Sequence, residues 1–163
     1  MQSIDELFNS GQIALNLGSP KKALEIFTHI LNLQPDHQKA LLKKASILGR
    51  LGRYKQSIAF YDKALENNPE ELLALINKGL ALHYLGEYQN ALDHYEKALI
   101  QKPDSTTILY NKASSLIRLD KTKEGLDILK CIIRIDFSYK SKAVHDVDFQ
   151  AIRHLNEFKK IVL

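Results

Sequence analysis

LLALINKGLALHYLGEYQNALDHYEKALIQKPDS, residues 72–105, decides how the whole chain is read. Leu75, Gly79 and Leu82 share one face of a first helix, and Ala91, Tyr95, Ala98 and Leu99 share one face of a second. Gly86 punctuates between them, and Pro103 stops the second because proline lacks the amide hydrogen a helix needs. A shift of 34 residues carries Pro103 onto Pro69 and then Pro35. The same shift carries Gly86 onto Gly52 and Gly18, and Tyr95 onto Tyr61 and Phe27. The rest of the chain is this helical pair copied in register.

A stride of 34 with this order of residues resembles the tetratricopeptide repeat (TPR). Its pattern has a large apolar residue early in the first helix and a small one four positions on; a small residue, an aromatic and another small residue follow in the second helix, then proline. Four units fit: Ile4–His37, Gln38–Glu71, Leu72–Ser105 and Thr106–Tyr139. The early apolar residues are Leu7, Leu41, Leu75 and Leu109, followed by Gly11, Ala45, Gly79 and Ala113. A larger side chain at that second position would hold the two helices apart. Ala23, Ser57, Ala91 and Gly125 stand early in the second helices. The fourth unit decays, with Asp120 in place of the turn glycine, Leu129 of the aromatic, Ile132 of the small residue and Phe137 of the proline.

The flanks fit the same reading. Ser3 precedes Ile4, with Glu6 at the spacing of a capping box. Ser19-Pro20 places a polar cap before proline at the start of a helix. After Tyr139 the period ends, and residues 140–163 resemble the closing segment of many bacterial TPR arrays, an A-x-x-D-x-D-F-x-x-I-R pattern followed by F-x-x-I. Here it reads Ala143, Asp146, Asp148, Phe149, Ile152, Arg153, Phe158 and Ile161. Such a segment covers the apolar face that a terminal repeat otherwise leaves bare. Asp148 is placed to cap the helix carrying Phe149 and Ile152. The resemblance implies a single domain over 1–163: an all-α, right-handed α-α superhelix (TPR solenoid) of four helix pairs, closed by short C-terminal capping helices.

Composition narrows the function. The net charge of +4 mixes 23 basic with 19 acidic residues, and no aromatic-interleaved basic stripe accompanies Lys43, Lys44, Arg50 and Arg53. Nucleic acid is not expected as a partner. No apolar run nears 18 residues, so no membrane span is expected, and a reducing cytoplasm is the default location. Cys131 is alone, which excludes an intrachain disulfide, and a buried or half-buried structural thiol is expected there. The glycines follow the repeat rather than clustering into a phosphate loop, and no nucleophile elbow occurs. His145, Asp146, Asp148 and His154 come nearest to a metal set, but the two acids are better read as caps. No catalytic residue, metal or cofactor is expected.

What remains is a surface. The resemblance implies that successive first helices line a concave groove. Lys43, Arg50, Leu73, Ile76, Asn77, Leu80, Tyr84, Tyr110, Asn111 and Arg118 are expected to point into it. Lysine and arginine would set orientation, the tyrosines would anchor, Asn77 and Asn111 would hold a peptide backbone, and Leu73, Ile76 and Leu80 would supply apolar contact. This lining favours an extended or helical segment bearing apolar and acidic residues. One TPR subfamily grips a chaperone's C-terminal carboxylate with Lys, Asn, Asn, Lys and Arg; here units two to four hold Leu42, Ser46, Asn77, Thr107 and Asn111, so that clamp is absent. The expected function is a non-catalytic adaptor or scaffold. The alternatives are a homodimerising scaffold and the substrate-recruiting fragment of a larger enzyme.

Overall fold

A computed structural model describes residues 2–163, which form ten α-helices and one 3-10 helix and no strand. The first helices of the four pairs are α1 (Ile4–Asn16), α3 (Gln38–Arg50), α5 (Leu72–Tyr84) and α7 (Thr106–Arg118). Their partners are α2 (Pro20–Leu33), α4 (Tyr54–Asn67), α6 (Tyr88–Gln101) and α8 (Thr122–Ile135). The starts at 4, 38, 72 and 106 keep the 34-residue stride without slippage. The closing segment is α9 (Ser138–His145), the 3-10 helix Val147–Ile152, and α10 (Asn156–Val162). No helix among the described residues is long and apolar enough to cross a membrane.

The turn between paired helices is the same in all four units. Gly18, Gly52 and Gly86 stand at φ 70, 72 and 81°, where glycine meets no Cβ penalty. The amide of the following residue reaches back to the carbonyl five residues earlier: Ser19 to Ala14, Arg53 to Leu48, and Glu87 to Leu82. This pattern satisfies carbonyls that a helix end otherwise leaves open. Asp120 takes the glycine's place at φ 61°, with Lys121 bonded to Leu116 in the same way.

The chain divides into two compact units, one running to Ala81 and the other from Leu82 to Leu163. In the first, the small-against-large rule explains how the helices approach. A Cβ on Gly11 would lie 2.7 Å from Cζ of Phe27, so the ring fills the space that glycine leaves. Ser57 is buried and donates to the Ala45 carbonyl at 2.7 Å, meeting a polar need that burial creates. Phe27, Ile30, Leu41, Tyr61 and Ala74 share this core, each large side chain contributing about 1.5–3 kcal/mol of burial.

The second unit packs Tyr110, Ile117, Leu126, Leu129 and Ile132 against Tyr139, Ala143, Phe149, Ile152, Phe158 and Val162 of the closing segment. Gly125 lets α8 close on α7, since a Cβ there would stand 2.6 Å from Ile117 Cδ1 and 3.1 Å from the Ala113 carbonyl oxygen.

The capping box of Ser3 and Glu6 is formed as the sequence suggested. Three local expectations are corrected. Ser19 precedes Pro20 but makes no side-chain cap, because its 6→1 backbone bond already defines the turn. Asp146, not Asp148, caps the 3-10 helix by accepting from the Asp148 amide, which frees Asp148 for another partner. Cys131 is exposed rather than buried, since α8 turns Leu129 and Ile132 inward and leaves residue 131 outside.

Candidate functional site

In the first unit the expected site residues stand on α3 and α5. The helix α3 holds Lys39, Lys43, Lys44 and Arg50 and no acid. Lys44 turns toward α4, where its ammonium lies 4.3 Å above the Phe60 ring, and on α5 Lys78 is ion-paired with Asp62. Lys43 and Arg50 have no such partner: no described residue hydrogen-bonds or ion-pairs with either, nor with the half-buried amide of Asn77. Along α5, Leu73 is 57% exposed, while Ile76 and Leu80 are half-buried. Apolar side chains left in water at helical spacing lose the hydrophobic stabilisation that burial would give. The first unit thus carries unpartnered donors and an apolar strip that is only partly covered.

The second unit treats its expected residues differently. Tyr84 is 58% exposed and forms an edge contact with His83, with ring centroids 5.7 Å apart. Tyr110, expected as an open anchor, is 2% exposed. Its hydroxyl donates to Asp146 Oδ2 at 2.7 Å, and its ring packs on Tyr139 and Phe149. Burial first, and then the Asp146 acceptor, hold its phenol well above the ordinary tyrosine range. Ser114 and Ile117, on the same helix, are buried as well. On α7, therefore, the chain's own closing segment covers what an isolated repeat would expose. Arg118 is exposed but already committed, its Nε donating to the Tyr88 hydroxyl at 2.9 Å with the guanidinium 5.3 Å over that ring. Asn111 is half-buried.

A polar cluster that sequence reasoning did not assemble lies behind this surface. His83, at the end of α5, is 6% exposed; its Nδ1 lies 2.8 Å from Ser115 Oγ and its Nε2 2.9 Å from Asp148 Oδ2. The carboxylate can only accept, so Nε2 carries the proton and Nδ1 accepts from the serine hydroxyl in the neutral imidazole. These three residue types also make hydrolase triads, but the roles fail here. Ser115 is fully buried on α7, so no scissile carbonyl can reach it. The trio ties the closing segment to α5 and α7. Arg153 adds a bond from its Nη2 to the Asp146 carbonyl at 2.9 Å. The available signal was a histidine at a first-helix position together with the D-x-D of the closing segment, but only the fold brings residues 83 and 148 together.

Among the described residues, no cluster of His, Cys, Asp and Glu has the geometry to hold a metal ion. His145 and His154 are exposed, and the acids between them serve the cap and His83.

Comparison with solved structures gives the fold independently. MamA 41-end from Desulfovibrio magneticus RS-1 superposes with a TM-score of 0.84 at 21% identity, over 97% of this chain and 88% of that one. A MamA RS-1 double mutant gives 0.81 at 21% identity, over 99% and 96%. A tetratricopeptide repeat protein from Parabacteroides merdae ATCC 43184 gives 0.80 at 21% identity, over 99% of this chain and 64% of that one. No curated protein matches the chain by sequence. The tetratricopeptide repeat family model matches residues 8–71, 42–106 and 76–130, three overlapping windows in step with the helix pairs. By those windows and the helix pairs beneath them, the chain belongs to the tetratricopeptide repeat family.

Proposed function

We propose that the chain is a non-catalytic protein-interaction module, an adaptor or scaffold, whose first-helix face in the first unit receives a protein segment bearing acidic and apolar residues. One observation carries this reading: the side chains of Lys43 and Arg50 on α3 and Asn77 on α5 have no hydrogen-bond or ion-pair partner among the described residues, and α5 also carries exposed Leu73 and half-buried Ile76 and Leu80. Arginine fits a carboxylate in two parallel bonds, a side-chain amide can pair with a backbone peptide group, and the strip gains by leaving water. The scaffold is already ordered, so binding it costs little conformational entropy. Lys43 and Arg50, with no acid on α3 to offset them, disfavour basic segments. Within the second unit, Tyr84, Asn111 and Arg118 form a smaller face; Tyr110 steadies the closing segment beneath it. We place the module in a reducing compartment such as the cytoplasm, where exposed Cys131 remains a thiol.

The test is to pan a random-peptide phage library against the intact chain. The selected peptides should be enriched in Asp and Glu interspersed with Leu, Ile or Phe. The Arg50→Ala/Asn77→Ala double variant should retain the wild-type melting temperature and bind these peptides about 10–100-fold more weakly. Selected peptides rich in lysine and arginine, or bound equally by the variant, would remove the first-unit face as the site.

A further inference from the structure

On the opposite side of α3 from the proposed peptide face, the first unit has a recess of about 290 Å³. Leu24 and Thr28 of α2, Lys44 and Leu48 of α3, and Arg53, Gln56, Ala59 and Phe60 of the turn and α4 line it. Its walls divide by chemistry. Leu24, Leu48 and the Phe60 ring are apolar, while Lys44, Arg53 and Gln56 supply donors, and no acid contributes to the lining. Lys63 joins the cations, its ammonium 5.8 Å from the same Phe60 ring that Lys44 covers at 4.3 Å.

Two cations thus share one ring, and Arg53 lines the same recess. Among the described residues, neither Lys44, Arg53 nor Lys63 forms an ion pair, and the nearest acid along α4, Asp62, is engaged by Lys78. Lys44 is half-buried while Arg53 and Lys63 are exposed, and like charges gathered around a half-buried ammonium raise its energy unless a bound anion offsets them. The strain registers on Lys44, whose ammonium is held below the ordinary lysine range by burial first and then by Lys63 and Arg53. Phe60 explains how Lys44 and Lys63 are held, since the negative face of an aromatic ring attracts cations. It does not neutralise them.

We propose that this recess binds a small phosphate monoester with a compact apolar body. The dianionic head would sit among Lys44, Arg53 and Lys63, with Gln56 donating, and the body would lie on Leu24, Leu48 and Phe60. A dianion answers three cations better than a monocarboxylate does. The volume, at the low end for ligand cavities, admits one ring and one phosphate rather than a nucleotide. This inference stands apart from the peptide face, since the two sites share no residue.

The experiment is titration of the intact chain with phenyl phosphate, followed by amide shifts in two-dimensional NMR at low ionic strength. The expected result is saturable binding with a Kd of about 1 mM or tighter, and shifts concentrated at Thr28, Gln56, Ala59 and Phe60. Inorganic phosphate and benzoate, each lacking half of the recognised group, should bind about tenfold more weakly. The Lys44→Gln/Arg53→Gln variant should lose about tenfold or more while its circular dichroism melt stays that of the wild type, and Lys63→Gln, at an exposed residue, should lose less. Non-saturable shifts, phenyl phosphate binding no better than inorganic phosphate, or unchanged affinity in both variants would overturn the assignment.

Discussion

Replacing Asp120 by glycine should stabilise the chain, although it removes a charged side chain and adds no contact. Asp120 sits at φ 61°, in the place that Gly18, Gly52 and Gly86 fill at 70–81°. A left-handed conformation costs an ordinary L-residue about 1–2 kcal/mol, and aspartate recovers part of this only where its side chain bonds locally. The Asp120 side chain is exposed and has no such bond, so most of the strain stands. Glycine relieves it but loses about 0.4–1 kcal/mol through the greater freedom of its unfolded chain. The net gain is about 0.5–1 kcal/mol, worth roughly 1–4 °C in melting temperature for a chain of this size. Amide hydrogen exchange is the decisive assay, because a chain with two compact units need not unfold in one step. Protection should rise at α7 and α8, whose junction is repaired, with little change in α1–α4. The reverse variant, Gly52→Asp, should weaken α3 and α4 by about 1 kcal/mol. Unchanged or lower protection in Asp120→Gly would refute the claim that this turn is strained.

Four further outcomes follow from other parts of the molecule. Tyr61 has its phenol pushed up to about 12 from 10.0, chiefly by burial and against the hydroxyls of Ser46 and Ser57. A raised folded value gives stability that is complete below pH 10 and is lost as pH climbs toward 12; Tyr61→Phe should remove about 1 kcal/mol of the loss seen by about pH 11, read from urea midpoints. Gly125→Leu should cost about 1–3 kcal/mol or more by driving its side chain into Ile117 and the Ala113 carbonyl, checked by thermal melting against a tolerated exposed change such as Lys123→Gln. His83→Phe should loosen the closing segment by about 1–3 kcal/mol, seen as faster exchange over 147–162, because Ser115 and Asp148 lose their shared partner. Wild type and Ser115→Ala should react with p-nitrophenyl acetate at the same rate, since the buried hydroxyl has no route to a substrate.

Pattern carried the fold a long way. Starts at Ile4, Gln38, Leu72 and Thr106 followed from proline and glycine spacing, because a tight left-handed turn and a helix stop admit few residue types and so mark boundaries sharply. The decayed fourth unit, which lacks both the turn glycine and the proline, was legible through Leu109, Ala113, Leu116 and Gly125, the last of which lets α8 close on α7. The closing segment was legible as a cover, but not in what it covers. Tyr110 occupies a groove-facing position in the repeat, yet Asp146 and Phe149 seal it, and periodicity within a repeat says nothing about a partner 36 residues further along. Cys131 was misjudged because adjacent residues on an amphipathic helix differ in burial according to a phase that Leu129 and Ile132 set. The His83–Asp148 bond spans 65 residues, and composition cannot supply such a pairing. Lys43 and Arg50 were legible as polar positions; that their side chains stand without a partner among the described residues is a fact of packing alone.

The most direct test of the account is NMR mapping of the tightest library-selected peptide on the isotopically labelled chain. Saturable shifts are expected at Lys43, Arg50, Leu73, Ile76, Asn77 and Leu80, with Thr28, Gln56 and Phe60 unmoved. Shifts confined to the α2 and α4 surface, or an unperturbed α5, would contradict it.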